Sequence, residues 1–304
     1  RGRRAQYRYV IVFVVAFQIE SGCMRKAFLI LSMALLVPTT GRAADSTPAP
    51  SPVRYVYRVV GTDSLAAFVF SPPAGSKPAN GILLFHGGGW VAGSADWVFA
   101  SAERFAQYGM VAIAVDYRLS NDKITPIDAL DDVCASFAWA RTHAKELGIG
   151  GKIAGYGVSA GGHLLAASAT VGCKGSSSAP DAMLLWSPAV DPAHDPWFQK
   201  LLQGRAQAID LSPADHAGKS TCPACIVQGA EDTLTPVAGA RRFCAAIIAA
   251  GGICDLHVYD GVGHMLTRNL KNQEDDFDPD PEKRADGIEQ QRKFLVRLGF
   301  ISSK

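Results

Sequence analysis

Residues 53–60 (VRYVYRVV) and 65–70 (LAAFVF) alternate apolar and polar positions on either side of Gly61-Thr62-Asp63, the pattern of two strands joined as a hairpin. Beyond Asn80 the pattern changes. Short, almost wholly apolar runs recur at 82–85, 111–115, 153–156, 183–186, 224–228 and 256–259. Helical periodicity fills the stretches 97–108, 129–147, 160–170 and 237–250 between them, and a last helix closes the chain. A strand that is apolar at every position is covered on both faces. Its alternation with helices predicts an α/β fold, a mostly parallel central sheet with helices on both sides. There is no internal repeat and no second boundary, so residues 53–304 read as one domain. The longest irregular stretch, 188–221, is a short insert before the strand at 224–228.

Residues 1–52 do not share this pattern. Met24-Arg25-Lys26 precedes an apolar run at 27–37, Pro38 breaks it, and Gly41-Arg42-Ala43 supplies small residues for cleavage after Ala43. This is the layout of a secretory signal peptide over 24–43. The run is shorter than the about 20 apolar residues that span a bilayer, so no stable membrane insertion is expected after cleavage. The expected destination is the periplasm or the exterior. Residues 1–23 read as upstream sequence outside the native protein, with a two-part membrane anchor as the weaker alternative. Residues 44–52 (ADSTPAPSP) read as a linker.

Composition adds little beyond a well-filled core: 48% apolar and 19% charged residues. The net charge of +2 owes much to Arg1, Arg3, Arg4 and Arg8. No basic patch interleaved with aromatics stands out, which argues against nucleic acid as a partner. Export changes how the cysteines read. Of seven, Cys23 precedes Met24, and the other six are an even set in an oxidising compartment. Cys244 and Cys254, on a helix and the following strand, are the first expected pair and Cys134 with Cys173 the next. Cys222-Pro-Ala-Cys225 leads into a strand, whereas a redox CxxC opens a helix, so a structural bridge or free thiols is preferred to thiol–disulfide chemistry.

In an open parallel sheet, ligands bind beyond the carboxyl ends of the strands. Here one strand runs into His86-Gly87-Gly88-Gly89-Trp90, another into Gly157-Val158-Ser159-Ala160-Gly161 with a helix after it. A third delivers Ala230-Glu231-Asp232, and a fourth Gly261-Val262-Gly263-His264. Serine, aspartate and histidine thus arrive in that order at strand ends. A G-x-S-x-G turn between strand and helix lifts a serine out of the fold, and its neighbours must be small because the turn brings them against adjacent chain. A glycine-rich turn that merely includes a serine is the plain alternative. The surrounding strand, helix and HGGGW loop favour the chemical one.

The chain at this point resembles the α/β-hydrolase fold, and more narrowly the esterase/lipase group related to hormone-sensitive lipase, including feruloyl- and acetylxylan-esterase-like members. The resemblance rests on HGGGW (86–90), DYRL (116–119), GVSAGG (157–162), GAEDTLTP (229–236) and GVGH (261–264), and runs from Gly81 to the C-terminus. One departure is Ser120-Asn121-Asp122, where many relatives carry Ala-Pro-Glu. The resemblance implies Ser159 as nucleophile, His264 as general base and then acid, and Asp232, ahead of Glu231 and Asp260, as the residue orienting the imidazole. It implies the N–H groups of Gly88, Gly89 and Ala160 as an oxyanion hole. The expected activity is a serine carboxylesterase that needs no cofactor or metal, acting on a small-molecule or carbohydrate ester of short acyl chain. An amidase or peptidase of the same fold, and a non-catalytic binding protein, are the rivals.

Other residues carry plainer expectations. His86 supports the glycine loop by hydrogen bonding. Trp90 and Trp186 either line the pocket or belong to the core. His163 is structural. Asp116 and Arg118 form a buried ion pair or make turn contacts. His143, His194, His216 and His257 lack metal-ligand spacing. The acidic run at 274–280 is a solvated loop and not a calcium site.

Overall fold

The computed structural model describes residues 51–73, 79–173 and 179–303. The expected signal segment, the residues before it and most of the linker lie outside the described residues. Eight strands form one sheet: β1 (Val53–Val60), β2 (Asp63–Phe70), β3 (Ala79–Phe85), β4 (Val111–Val115), β5 (Ile149–Val158), β6 (Met183–Trp186), β7 (Ala224–Gly229) and β8 (Cys254–Tyr259). Their order is β1-β2-β4-β3-β5-β6-β7-β8. The pairs β1–β2 and β2–β4 are antiparallel, and β4 through β8 run parallel. The helices are α1 (Phe99–Gln107), α2 (Pro126–Thr142), α3 (Ala144–Leu147), α4 (Ala160–Thr170), α5 (Pro196–Leu201), α6 (Pro213–His216), α7 (Val237–Ala249) and α8 (Pro281–Arg297).

Alternation within β3 explains its unbroken apolar run. Leu83 and Phe85 pack with Phe137 of α2, Leu164 of α4 and Phe243 of α7, while Ile82 and Leu84 face Phe105 of α1 and Phe294 of α8. Both faces are dry, and each such side chain contributes roughly 1.5–3 kcal/mol of burial.

Several boundaries differ from the sequence reading. The helix expected at 129–147 starts three residues earlier and is interrupted at His143. Pro126 occupies the first turn, and a capping box sets the start, with the Thr125 amide donating to Asp128 Oδ2 at 2.8 Å. The expected helix at 97–108 opens as a 3-10 turn, Ala95–Val98, before α1. The insert is not irregular throughout: it holds α5, a 3-10 turn at Ala208–Leu211, and α6.

The Asp116–Arg118 pairing needs correction. Arg118 donates to Asp132 of α2, Nε to Oδ2 at 2.8 Å, and Arg58 of β1 reaches the same carboxylate at 2.7 Å. Asp116 instead accepts the Ala95 amide at 2.8 Å, a turn contact. Both residues lie past the end of β4, where Asp116 turns to the Ala95 amide and Arg118 to the face of α2, which separates them. Burial nevertheless holds the Asp132 carboxyl above its ordinary range, with Arg118 opposing.

Both expected cysteine pairs lie at disulfide distance: Cys134 with Cys173, Cα atoms 5.6 Å apart, and Cys244 with Cys254, 5.4 Å apart. Cys222 and Cys225 are free, and burial pushes the Cys222 thiol up to about 12 and raises Cys225 as well. Thiols so held are poor nucleophiles, which weighs against thiol–disulfide chemistry at this CxxC.

Candidate active site

β5 ends at Val158, and α4 begins at Ala160. The single residue between them, Ser159, has φ +50° and ψ −117°, a conformation costly for any residue with a side chain. Its surroundings hold it there. The Ser159 amide donates to the Trp186 carbonyl at 3.0 Å, and its own carbonyl accepts from the amides of His163 at 3.0 Å and Ala189 at 3.2 Å. The flanking glycines are obligatory. A Cβ on Gly161 would overlap the carbonyl oxygens of Phe85 and His86, and one on Gly157 would sit 2.6 Å from the Gly161 oxygen. The small residues around Ser159 therefore let strand, helix and neighbouring loop come together beneath a partly exposed hydroxyl.

That neighbouring loop follows β3. Gly88 and Gly89 take φ of +111° and +57°, and Trp90 follows at +65°. The Gly88 carbonyl accepts the amides of Val91 and Ala92 at 3.1 and 3.0 Å, closing the loop on itself. His86 secures its base: Nδ1–H donates to the Gly87 carbonyl at 2.7 Å, and Tyr117 stacks on the ring at 4.3 Å while its hydroxyl donates to the His86 carbonyl at 2.8 Å. Burial lowers the His86 pKa and so favours the neutral ring this bonding needs. Among the described residues, the amides of Gly88, Gly89 and Ala160 have no acceptor.

His264 and Asp232 come from the turns after β8 and β7. His264 Nδ1 lies 2.9 Å from Asp232 Oδ2, and both side chains are buried. A carboxylate facing Nδ1 selects the tautomer with the proton there, which leaves Nε2 as a base. Asp232 is surrounded by donors: Gln228 Nε2 at 2.9 Å, Thr235 Oγ1 at 2.8 Å, and the amides of Leu234 and Thr235 at 3.0 and 2.8 Å. Glu231 instead accepts the Val262 amide, and Asp260 makes no contact with His264. Ser159 and His264 line one cleft, although no hydrogen bond joins their side chains in this structure. Catalytic hydrogen bonds are often long in the absence of substrate and tighten when it binds.

Sequence reasoning missed the residue that joins the two turns. Gln273, buried within the acidic 274–280 neighbourhood, accepts the His264 amide at 2.8 Å and the Thr233 amide at 3.2 Å through Oε1. Its Nε2 donates to the Glu231 carbonyl at 2.9 Å. Within the acidic run itself, Asp278 pairs with Arg268 at 2.7 Å and Asp280 caps α8. Nothing in a lone glutamine among acidic residues marks it beforehand.

The cleft has a volume of about 1250 Å³. Trp90 and Trp186 line it while remaining nearly buried. Two further tryptophans stand at its edge, Trp97 at 61% and Trp197 at 45% exposure, and Phe277 lines it near His264, ring centroids 6.2 Å apart. Charged side chains, Arg104, Arg284, Glu274 and Asp275, complete the wall.

A family model described as alpha/beta hydrolase fold matches residues 82–268. The chain belongs to this family. Among curated proteins it is similar to an arylesterase of Saccharolobus solfataricus, 41% identical over 103 residues that cover 33% of each chain. It is also similar to esterase LipC of Mycobacterium tuberculosis, 28% identical over 200 residues, covering 55% of this chain and 48% of that one. The chain thus spans a third to a half of the length of these curated relatives. Among solved structures, esterase 2 of Thermogutta terrifontis superposes with a TM-score of 0.74 at 30% identity, over 84% of this chain and 98% of that one. The same esterase has been solved with propionate and with butyrate bound.

Proposed function

We propose that this α/β hydrolase is a serine carboxylesterase. The observation that carries the reading is the buried His264–Asp232 pair opening onto the same cleft as Ser159, a serine held in a strained turn. In the first step His264 Nε2 takes the Ser159 proton as Oγ attacks the ester carbonyl, and the amides of Gly88, Gly89 and Ala160 receive the charge that develops on the carbonyl oxygen. Removing one such donor typically costs about 3–4 kcal/mol of transition-state stabilisation. The imidazolium, stabilised by Asp232, then protonates the departing alcohol. Water, activated by the same imidazole, releases the acid from Ser159.

The acyl group is short and the alcohol large. The related esterase solved with propionate and butyrate supports the first statement. A cleft of about 1250 Å³ far exceeds a short acyl chain, and its exposed tryptophans beside charged side chains suit a ring-bearing, hydroxyl-rich alcohol, which supports an acetylated or feruloylated carbohydrate. Cleavage after Ala43 would deliver the enzyme to the periplasm or exterior, where the two cysteine pairs would be oxidised.

Hydrolysis of p-nitrophenyl esters from acetate to laurate, beside Ser159→Ala, tests the reading. Turnover that peaks at acetate to butyrate and disappears in the variant is expected. Turnover surviving in Ser159→Ala would refute the nucleophile, and amides cleaved faster than esters would move the chain to the amidases.

A further inference from the structure

One buried histidine has no part in the chemistry above, yet it touches three of the elements that frame the cleft. His163 lies one turn into α4, directly after Ser159. Its ring packs edge-on against Trp90 of the glycine loop, centroids 5.3 Å apart, and Phe198 of α5, 4.7 Å apart. Nδ1 accepts the Trp90 indole N–H at 3.1 Å, and Nε2–H donates to the Leu211 carbonyl at 2.9 Å. These two bonds need one tautomer, protonated on Nε2 only, and burial keeps the ring neutral by lowering its pKa to about 4.

Trp90 is held at both ends. Its carbonyl accepts the Ser120 amide at 2.7 Å, its backbone sits at φ +65°, and among the described residues its indole has only His163 as acceptor. Gly88 and Gly89 precede it directly. If the indole is released, the strained turn can relax, and the two amides move with it. Leu211 and Phe198 both belong to the 188–221 insert, so the same ring joins that insert to the loop.

We propose that His163 is the positioning residue of the oxyanion loop, its Nδ1 fixing the Trp90 indole and its Nε2 tying that indole to the insert through the Leu211 carbonyl. The proposal rests on the esterase reading of the site. The amides act on charge present only in the transition state, so loosening them lowers kcat and leaves KM in place. A histidine that merely fills the core would affect folding alone.

The test uses p-nitrophenyl butyrate and the full chain carrying His163→Leu, His163→Asn, Trp90→Phe, and the double Trp90→Phe/His163→Leu. Leucine fills space without an acceptor, whereas asparagine places Oδ1 near the position of Nδ1. We expect His163→Leu and Trp90→Phe each to lower kcat by about tenfold or more with KM within about twofold, because mispositioning a donor costs part of what deleting it does. His163→Asn should restore most of that loss. The double variant should be no worse than the weaker single, since both remove one bond. Multiplying effects in the double, or equal kcat in His163→Leu and His163→Asn, would overturn the proposal. If His163→Leu does not fold, Trp90→Phe decides: kcat within twofold of the parent overturns it.

The Trp90 indole N–H resonance, assigned by its loss in Trp90→Phe, reads the clamp without turnover. It should be kept in His163→Asn and displaced in His163→Leu; an unchanged resonance in both overturns the clamp. A parent chain inactive on every ester would sink the esterase reading separately.

Discussion

The two sides of the cleft are held by different means. On the nucleophile side, Ser159 and the Gly88–Gly89 loop are positioned by backbone: positive φ angles, carbonyl–amide bonds, and glycines that let main chains touch. On the acid–base side, His264 and Asp232 are positioned by side chains drawn from β7 and from two turns, namely Gln228, Thr235 and Gln273. An atom added where main chains touch has nowhere to go, so errors in the backbone contacts themselves act on the fold. A side-chain network can lose one member and keep its shape, so errors there act on the chemistry first.

Asp232→Asn should expose this difference most strongly. The amide preserves shape but presents the wrong group to Nδ1, so Nε2 no longer reliably carries the lone pair. A loss of about ten-thousandfold in kcat is expected, with thermal unfolding little changed. A loss below about tenfold would show that another carboxylate orients His264, with Glu231 the first to examine.

The opposite signature is expected of Gly161→Ala. Its Cβ would overlap two carbonyl oxygens, which cannot turn aside as a flexible side chain can. The expected destabilisation is about 3 kcal/mol or more, a fall of roughly 6 °C in the midpoint of thermal unfolding for a chain of this size. Gly218→Ala, where nothing lies within 4 Å, is the control and should stay within about 0.5 kcal/mol. Similar midpoints for the two variants would mean that the elbow is softer than its contacts imply.

This contrast also explains what could be read from sequence. The nucleophile side is legible because close backbone approach requires glycine at set spacings, and HGGGW and GVSAGG carry those spacings. The parallel sheet is legible because two-sided burial makes each strand uniformly apolar. Asp232 and His264 could be placed because each follows a strand end. Gln273 could not be, since a glutamine whose partners lie 9, 40 and 42 residues away in sequence leaves no periodic trace. The partner of Arg118 was missed for the same reason: Asp132 lies on a helix face, reachable only once α2 is docked.

Gln273→Ala sharpens the comparison at smaller scale. It strips acceptors from the His264 and Thr233 amides and a donor from the Glu231 carbonyl, with an expected cost of about 2 kcal/mol in stability. The catalytic loss should be about tenfold in kcat with KM unchanged. Gln273→Glu keeps the acceptor and should recover part of it. If Gln273→Ala unfolds the chain but leaves kcat intact at low temperature, the staple serves the fold only, and the two sides of the cleft are more alike than their bonding suggests.

The smallest effect comes from a titrating side chain on the backbone-held side. His163 has its pKa lowered to about 4 by burial, whereas an unfolded histidine titrates near 6.5. Between those values the unfolded chain binds a proton that the folded chain refuses, so stability rises with pH across this window and falls as pH drops through it. From pH 6 to pH 5 this one group should remove about 1 kcal/mol. Urea unfolding at the two pH values, for the parent and His163→Asn, isolates it, because the other titrating groups are common to both chains. The difference between the two pH values should be smaller in the variant by that amount. Equal differences would mean that the ring can take up its proton in place, and a His163 that tolerates a proton on Nδ1 cannot be holding the Trp90 indole there.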